Sequence, residues 1–238
     1  MSCFAVDLHI HSALSPCADD EMTPNNIVNM SVLKELDIIA VTDHNTVANC
    51  EAVMKCARDK KLIVVPGMEL ETREEIHVVC LFPDIAKAWE MQEVVNSRHN
   101  GLQNREDIFG RQILFDEQDN IIGYEKRLLI TAVDIGIDEA FRLVRGIGGA
   151  VIPAHADRDS YSILTNLGAV PEELGVRYLE LSSGCDTDLL LKKYPGLNAF
   201  KHIRSSDAHR LEDISEREFF MELREATAHC LIDTLECC

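Results

Sequence analysis

Short apolar runs alternate with longer amphipathic segments along most of the chain. Seven runs have the composition of buried strands, at residues 4–9, 38–42, 62–66, 77–82, 150–153, 178–182 and 199–205. The segments between them carry apolar residues three and four positions apart, which is typical of helices that pack one face on a sheet. Strands that alternate with helices in this way favour a parallel sheet or a closed α/β barrel.

Helix signals fill most of the gaps between the strands. The first helix has a clear start, because Thr23 can cap it and Pro24 occupies its first position. Further helices are predicted at residues 47–60, 85–98, 137–144, 160–167, 187–194 and 215–228. These positions complete the alternation expected of an α/β barrel.

Residues 101–131 interrupt this alternation. Two apolar runs at 112–115 and 121–124 flank a polar stretch, which predicts a β-hairpin. We interpret the segment as an insertion over one end of the barrel, where it could act as a lid. The whole chain, residues 1–238, is then predicted to form a single domain.

The composition is typical of a globular protein in a reducing cytoplasm. Hydrophobic residues make up 46% and charged residues 27% of the chain, and no apolar run approaches the roughly 18 residues that span a bilayer. The start of the chain lacks the features of a signal peptide. The nine cysteines are scattered without a CxxC pair, which argues against a disulfide framework. The Cys237-Cys238 pair could bind a soft metal, but no partner spacing supports that, and we favour an incidental pair.

The charge balance is strongly acidic. Forty-one acidic residues against 23 Lys and Arg give a formal net charge of −18. This argues against a broad basic surface that grips long duplex nucleic acid or a membrane. A local cationic site remains compatible with it, because bound metal ions are not part of that count.

Residues that bind metal ions cluster at or near the ends of the predicted strands. The first run ends in His9-Ile10-His11, and in an extended segment both imidazoles point to the same side. Barrel active sites lie at the carboxyl ends of the strands. Eight candidate ligands lie at or near strand ends: His9, His11, His44, Glu69, His77, His155, Asp207 and His209. One histidine at a strand end could simply satisfy a buried hydrogen bond, but five converging segments favour a metal site.

The donor types indicate which ions the site prefers. Many imidazoles with a few carboxylates suit Zn, Mn or Fe better than Ca or Mg. Eight ligands are too many for one tetrahedral ion and enough for two or three ions with open positions. Asp7 and Asp43 lie beside candidate ligands, where they could orient imidazoles or make strand-end hydrogen bonds.

These motifs resemble those of the PHP family, named for polymerases and histidinol phosphatases. The similarity is carried by the segments DLHIH (7–11), VTDHN (41–45), PGME (66–69), PAHAD (153–157) and SDAH (206–209), which occur in family order. It is strongest to the standalone bacterial phosphoesterases of the family. The resemblance implies a distorted (β/α)7 barrel, here with the 101–131 insertion, and a trinuclear metal site.

The resemblance also implies a role for each ligand. His9, His11 and Asp207 would bind one ion, and Glu69 would bridge it to a second.

The second ion would be held by His77 and His155, and the third by His44 and His209. His77 begins its strand, so it reaches the site only if residues 69–72 and 77–80 form a hairpin.

A further family ligand follows the first motif. Asp19 matches its position counted back from the helix start, and Asp20 is the alternative because this loop is longer than usual.

The predicted reaction is hydrolysis of a phosphoester by a hydroxide that two to three divalent ions generate from bound water. The substrate is predicted to be a small phosphomonoester or a nucleotide. Arg158, and less strongly Arg210, could hold a phosphate. We find no convincing Ser or Cys nucleophile.

Three alternatives remain at this point. A nuclease of the same family would act on short RNA or DNA ends. A non-catalytic metal-binding regulatory module would be expected to have lost ligands. An amidohydrolase-type barrel would favour a bridging lysine at a strand end, and none of the predicted strands ends in one.

Overall fold

The computed structural model describes residues 1–236, so the Cys237-Cys238 pair lies outside the described residues. The strands are β1 (Ser2–Ile10), β2 (Ile38–Val41), β3 (Ile63–Glu71), β4 (His77–Leu81), β5 (Ile113–Phe115), β6 (Ile121–Tyr124), β7 (Ala150–Pro153), β8 (Tyr178–Ser182), β9 (Lys201–Ser205) and β10 (Phe220–Leu223). The helices are α1 (Pro24–Leu33), α2 (Cys50–Cys56), α3 (Ile85–Arg98), α4 (Glu106–Phe109), α5 (Ile137–Gly146), α6 (Ile163–Leu167), α7 (Thr187–Lys193) and α8 (Ala228–Glu236).

The strands form the wall of a distorted barrel. One six-stranded sheet has the order β10-β1-β2-β3-β4-β7, and β8 pairs with β9 in parallel. Strand β8 lies beside β7, and β9 lies beside β1, so the pair fills the gap between the two sides of the large sheet. The predicted (β/α)7 arrangement is confirmed, and all seven predicted strands are present.

Strand β4 runs against its neighbours in the wall. It is antiparallel to both β3 and β7, and His77 at its start lies opposite Glu71 at the end of β3. The predicted hairpin therefore exists, and the first residue of β4 reaches the same end of the barrel as the last residues of β3. Gly67 is needed here, because a Cβ at this position would lie 2.7 Å from the carbonyl oxygen of Cys80.

The helices largely follow their sequence signals. Thr23 caps α1 by accepting a hydrogen bond from the backbone of Asn26, and Pro24 is its first residue. Helix α3 has the predicted bounds, whereas α2 is shorter than the predicted 47–60. None of the helices in residues 1–236 combines the length and the apolar character required to span a bilayer.

The predicted helix at 215–228 is wrong. Residues Phe220–Leu223 form β10 instead, which pairs antiparallel with the start of β1. Helix α8 begins only at Ala228, and Cys230, Leu231 and Ile232 belong to the same apolar cluster as the side chains inside the barrel. Helix α8 contacts β3, β7 and β10, so it closes the amino end of the barrel.

An irregularity in β1 changes which side chains face the interior. Val6 and Leu8 pack in the interior cluster, whereas Ile10 packs in the outer cluster between the wall and the helices. The pairing of β1 with β2 shifts between Asp7 and Ile10. Such a bulge re-aims the following side chains. Before the bulge, the apolar side chains of Val6 and Leu8 therefore face the barrel interior. After it, the imidazoles at the end of β1 do so.

The insertion forms the predicted hairpin, with β5 antiparallel to β6. Its backbone is bonded to the loop after β1 through Ile113, whose N–H donates to the carbonyl of Ala13. It is also bonded to the start of α2, where Asn49 accepts from the backbone of Phe115. The segment thus lies beside the carboxyl end of β1. Its action as a lid stays a prediction.

Candidate metal centre

The eight candidate ligands converge at one end of the barrel interior. Among residues 1–236, three overlapping groups of donor atoms each lie within 4.8 Å of one another: His11, His44 and His209; His9, His11, Glu69 and Asp207; His44, Glu69 and His77. The eighth residue, His155, joins them with its Nε2 atom 3.1 Å from Oε1 of Glu69. Six segments of the chain therefore form one cluster, as their positions at the strand ends predict.

Glu69 lies at the centre of this cluster and is 1% exposed. Its Oε1 atom is 2.7 Å from Nδ1 of His77, and its Oε2 atom is 3.0 Å from Nδ1 of His44 and 3.3 Å from Nε2 of His11. A carboxylate with imidazoles facing both oxygens is well placed to bridge two ions.

A second convergence lies beside it. The Nε2 atoms of His9 and His11 are 3.2 Å apart, and Oδ1 of Asp207 lies 3.3 Å from the first and 3.0 Å from the second. All three residues are shielded from solvent in this region. Imidazole nitrogens that face each other and a shared carboxylate are typical of atoms that bind a common cation.

Several buried polar atoms of the cluster have no hydrogen-bond partner. They are Nδ1 of His44, Oε2 of Glu69 and Nδ1 of His155. The first two are 3.0 Å apart, but their orientation does not make a hydrogen bond. Buried polar atoms without partners are costly, and a bound cation would satisfy them. The donor set therefore fits divalent ions that accept nitrogen and oxygen ligands.

The charges of the cluster shift its pKa values strongly. Burial alone would raise the pKa of Glu69, but the neighbouring His77, His9 and His44 hold it well below its usual range. Burial would also lower the pKa of His11 and of His77, yet their carboxylate neighbours raise each to about 9. Protons therefore occupy these two imidazoles when no cation balances the carboxylates.

His209 behaves in the opposite way. Burial and the neighbouring charge of His11 lower the pKa of its imidazole to about 3. Its side chain is also the most exposed imidazole of the cluster, at 28%. Its imidazole is thus neutral at physiological pH, so a ring nitrogen can bind a metal ion from the solvent-facing side of the cluster.

A carboxylate that the sequence analysis missed orients His9. Oε1 of Glu180 lies 2.9 Å from Nδ1 of His9 and also accepts from the backbone of His155 at 3.2 Å. Glu180 is buried in β8 on the same side as Tyr178, a side chain of the interior cluster. A glutamate at an inward position of an otherwise apolar strand was the signal that could have revealed it.

Asp43 acts on the cluster through a hydroxyl. Nδ1 of His11 lies 2.9 Å from Oγ of Ser15, which donates to Oδ1 of Asp43 at 2.7 Å. This chain fixes the orientation of the imidazole, in the way that partners of metal ligands usually do. Asp7 has a different role, since it accepts backbone hydrogen bonds from Ser206 and Ser215. It positions the loop that carries Asp207.

Three residues at the site have left-handed backbone conformations without being glycine. They are Asn45, His155 and Asp207, with φ values of +52°, +29° and +52°. Each such residue costs about 1–3 kcal/mol, and such residues concentrate at functional sites. Two of them are candidate ligands, and Asn45 follows a third. The strained backbone directs these side chains to positions that a regular strand end does not reach.

The remaining predicted site residues lie around the cluster. The carboxylate of Asp19 is exposed and 3.7 Å from Nε of Arg210, while its backbone N–H donates to the carbonyl of His209. Asp20 pairs with Arg111. Neither aspartate belongs to the three donor groups, so a ligand role for Asp19 stays a prediction.

Arg158 lies directly at the rim of the cluster. Its Nη1 atom is 2.6 Å from Oδ2 of Asp207, and its side chain is 44% exposed. The guanidinium thus touches a candidate ligand on one side and solvent on the other.

Comparisons with known proteins agree with this architecture. The family model of the PHP domain matches residues 7–151. The structure superimposes on a lesion-specific endonuclease of Pyrococcus furiosus with a TM-score of 0.72 at 18% identity, covering 99% of this chain and 56% of the endonuclease.

Two sequence relatives are also informative. An uncharacterised protein of Methanocaldococcus jannaschii is 30% identical over 162 residues, which is 68% of this chain and 17% of that protein. The 5'-3' exoribonuclease Rnm of Salmonella typhimurium is 35% identical over 85 residues, which is 34% of this chain and 28% of the nuclease. This chain therefore spans only part of the length of these relatives.

Proposed function

Because this chain belongs to the PHP domain family of metal-dependent hydrolases, we propose that it is a phosphoesterase that hydrolyses a small phosphomonoester or a nucleotide. The observation that carries the proposal is the convergence of eight donor side chains around the buried carboxylate of Glu69. When bound, divalent ions lower the pKa of water towards neutrality and stabilise negative charge on phosphoryl oxygens.

The donor groups divide among two to three ions. His9, His11 and Asp207 would hold the first, with Glu69 shared between it and the second.

His77 and His155 would hold the second ion, since both lie against Oε1 of Glu69. His44 and His209 would hold the third. Imidazole-rich sets of this kind suit Mn, Zn or Fe.

The open side of the centre is where a phosphate would enter. His209 and Arg158 are the exposed members of the cluster and its rim, whereas His9 and Glu69 are buried. The Arg158 guanidinium can pair with phosphate oxygens through two N–H groups. Arg210 lies further out, beside Asp19, and would add a weaker contact.

Charge and shape favour a compact substrate. The net charge of −18 disfavours long polyanions, whose binding depends on many neutralised phosphates. The insertion lies beside the carboxyl end of β1, which carries His9 and His11, and so would narrow access as a lid.

A nuclease acting on short RNA or DNA ends is the second candidate. It is supported by the similarity to the exoribonuclease Rnm and to the lesion-specific endonuclease. The solvent-facing side of the metal centre, with the guanidinium of Arg158 beside it, would accept the terminal phosphate of a short strand as readily as that of a nucleotide.

A substrate panel distinguishes the two candidates. Protein loaded with Mn would be assayed against mononucleotides, sugar phosphates, amino-alcohol phosphates and a 5'-phosphorylated RNA of about ten residues. We expect phosphate release from small phosphoesters, absent in a Glu69→Ala control that excludes contaminating phosphatases. Degradation of the oligonucleotide with no activity on any small ester would reject the small-molecule reading and favour the nuclease.

Replacing Arg158 by Ala tests the phosphate contact. We expect KM to rise about tenfold, since a hydrogen bond between charged groups contributes roughly 1.5–3 kcal/mol, with little change in bound metal by elemental analysis. Arg224→Ala is the matched control, because Arg224 is an exposed arginine paired with Asp233. An unchanged KM in Arg158→Ala would remove this residue from the substrate site.

A further inference from the structure

The loop between β7 and α6 brings an aromatic ring to the metal centre. The side chain of Tyr161 stacks on the imidazole of His77, with ring centroids 4.7 Å apart and ring planes at 22°. The carbonyl of Tyr161 also accepts a hydrogen bond from the backbone N–H of His77 at 2.9 Å. Tyr161 is therefore in contact with a candidate ligand through both its ring and its backbone.

Much of this ring is open to solvent. Tyr161 is 45% exposed although the imidazole of His77 covers one of its faces. His77 itself is buried, with its Nδ1 atom 2.7 Å from Oε1 of Glu69 at the centre of the cluster. A ring that is held on one face and open on the other offers a flat apolar surface beside the metal centre.

The backbone of Tyr161 is strained. Its φ of +54° lies in the left-handed region, which a bulky residue rarely adopts. Such conformations persist only where the surrounding structure holds them, and they concentrate at active sites and ligand clamps. Because the side chain stays largely exposed, packing in the core does not account for this strain.

Hydrogen bonds hold the loop in this shape. Ser162 is fully buried, and its Oγ atom donates to the carbonyl of Arg158 at 2.7 Å. Oγ1 of Thr165 donates to the same carbonyl at 3.0 Å, and the N–H of Arg158 donates to the carbonyl of His155 at 2.9 Å. The loop therefore fixes the backbone positions from which the guanidinium of Arg158 and the ring of Tyr161 extend.

We propose that Tyr161 is a specificity-determining residue that stacks on the nucleobase of a nucleotide whose phosphate lies at the metal centre beside Arg158. The inference rests on the proposed function and narrows its substrate class to nucleotides, over sugar and amino-alcohol phosphates. Stacking on an aromatic ring tolerates every base, because each base has a flat π-face. The preference is therefore for a base over none, and not for one particular base.

Binding of hydrolysis-resistant analogues tests the proposal without an activity assay. Phosphonate analogues of adenosine 5'-phosphate and of ribose 5-phosphate would be titrated calorimetrically into Mn-loaded protein. We expect the wild type to bind the adenosine analogue at least about fivefold more tightly, the lower range for a base stacked on an aromatic ring.

Variants of Tyr161 assign this preference to the ring. Tyr161→Ala should lose the preference for the adenosine analogue, and Tyr161→Phe should keep it. Tyr161→Gly is a second variant without the ring, and glycine adopts the left-handed backbone conformation at no cost. Phe220→Ala is the matched control, because Phe220 is an exposed aromatic residue of β10, and it should keep the wild-type preference.

Metal content separates contact with the substrate from a structural role. Elemental analysis should find as many ions in Tyr161→Gly as in the wild type. Loss of metal together with equal weakening of both analogues would overturn the proposal and make Tyr161 a positioning residue for His77.

The same experiment distinguishes failure of the inference from failure of the proposed function. Equal affinity of the wild type for the two analogues would overturn the inference, while phosphate release from small esters would leave the phosphoesterase standing. A preference that depends on the Tyr161 ring, in a protein that hydrolyses no ester of the panel, would support the base site and reject the phosphoesterase.

Discussion

The two ends of the barrel interior differ in the side chains that fill them, one being apolar and the other polar. At the amino end, side chains such as Val6 and Leu8 pack with Leu231 and Ile232 of α8 in one apolar cluster. At the carboxyl end the same wall encloses imidazoles and carboxylates around Glu69, several of whose polar atoms lack partners. The polar atoms of the carboxyl end would be satisfied by a bound cation, whereas the apolar end has no such need.

The two ends also differ in how well they obey strand geometry. The apolar end follows simple alternation, in which every second residue faces inward. The polar end departs from this alternation at the bulge in β1 and at His155 and Asp207, which have left-handed backbone conformations. The exceptions to regular strand geometry therefore concentrate at the end that carries the candidate ligands.

The largest effect is expected at the polar end, on turnover and metal content. Replacing Glu69 by Ala should lower turnover by at least about 100-fold, since outer partners of metal ligands alone change affinity or activity by about 10–100-fold. It should also reduce the metal content below that of His9→Ala, because Glu69 faces imidazoles with both oxygens. Elemental analysis and a phosphoesterase assay check this, with the exposed Glu93→Ala as control. Two to three ions per chain in the Glu69→Ala protein would contradict a bridging role.

The reverse result is expected at the apolar end. Leu231 is fully buried, and its replacement by Ala should reduce the free energy of unfolding by about 2–5 kcal/mol through lost burial and the cavity left behind. Metal content should stay the same. Denaturant unfolding measures the first and elemental analysis the second, with Leu189→Ala, an exposed leucine of α7, as control. Loss of bound metal in folded Leu231→Ala protein would mean that the two ends are not independent.

A smaller effect is expected from the partner of His9. Glu180→Gln keeps a hydrogen-bond acceptor but removes the charge, so metal affinity should fall about 10–100-fold. A chelator competition titration measures the affinity, and the exposed Glu173→Gln serves as control. An affinity equal to that of the wild type would show that the charge of Glu180 is not used.

The smallest effect is a pH dependence of the metal-free protein. The pKa values of His11 and His77 are raised to about 9 in the folded state, above the ordinary 6.5, so the folded state binds more protons between these values. Their stabilisation is therefore complete below about pH 6.5 and is lost as the pH rises through 9. The Tm of metal-free protein should fall over this range.

Metal-loaded protein provides the comparison for this pH series. Its His11 and His77 would hold ions in place of protons, so its Tm should change less between pH 6.5 and 9. Parallel curves for the two forms would show that these imidazoles do not exchange protons for metal.

Much of the fold and most of the site follow from the sequence because they depend on local pattern. Alternating apolar runs locate the seven strands of the wall, and ligands at their ends must meet at one face. Even His77 could be placed, because a short polar turn at 73–75 separates two runs that pair as a hairpin.

The misses depend on contacts between distant segments. Residues 215–228 have helical spacing, yet pairing of Phe220–Leu223 with the edge of β1 makes them a strand. Local propensity is regularly overridden by such pairing. Glu180 was missed because its partner His9 lies 171 positions away. Asp19 was placed by counting back from the start of α1, with Asp20 as the alternative, and its role as a ligand stays a prediction.

The position of helix α8 at the amino end of the barrel has a consequence for the proposed reaction. Because it packs at the amino end, under the proposed function substrate and product would share the route past His209 and Arg158 at the carboxyl end. Under the proposed function, released phosphate would occupy the position that the next substrate needs and would act as a competitive inhibitor. The rate of the reaction in a cell would then follow how quickly other reactions remove the product.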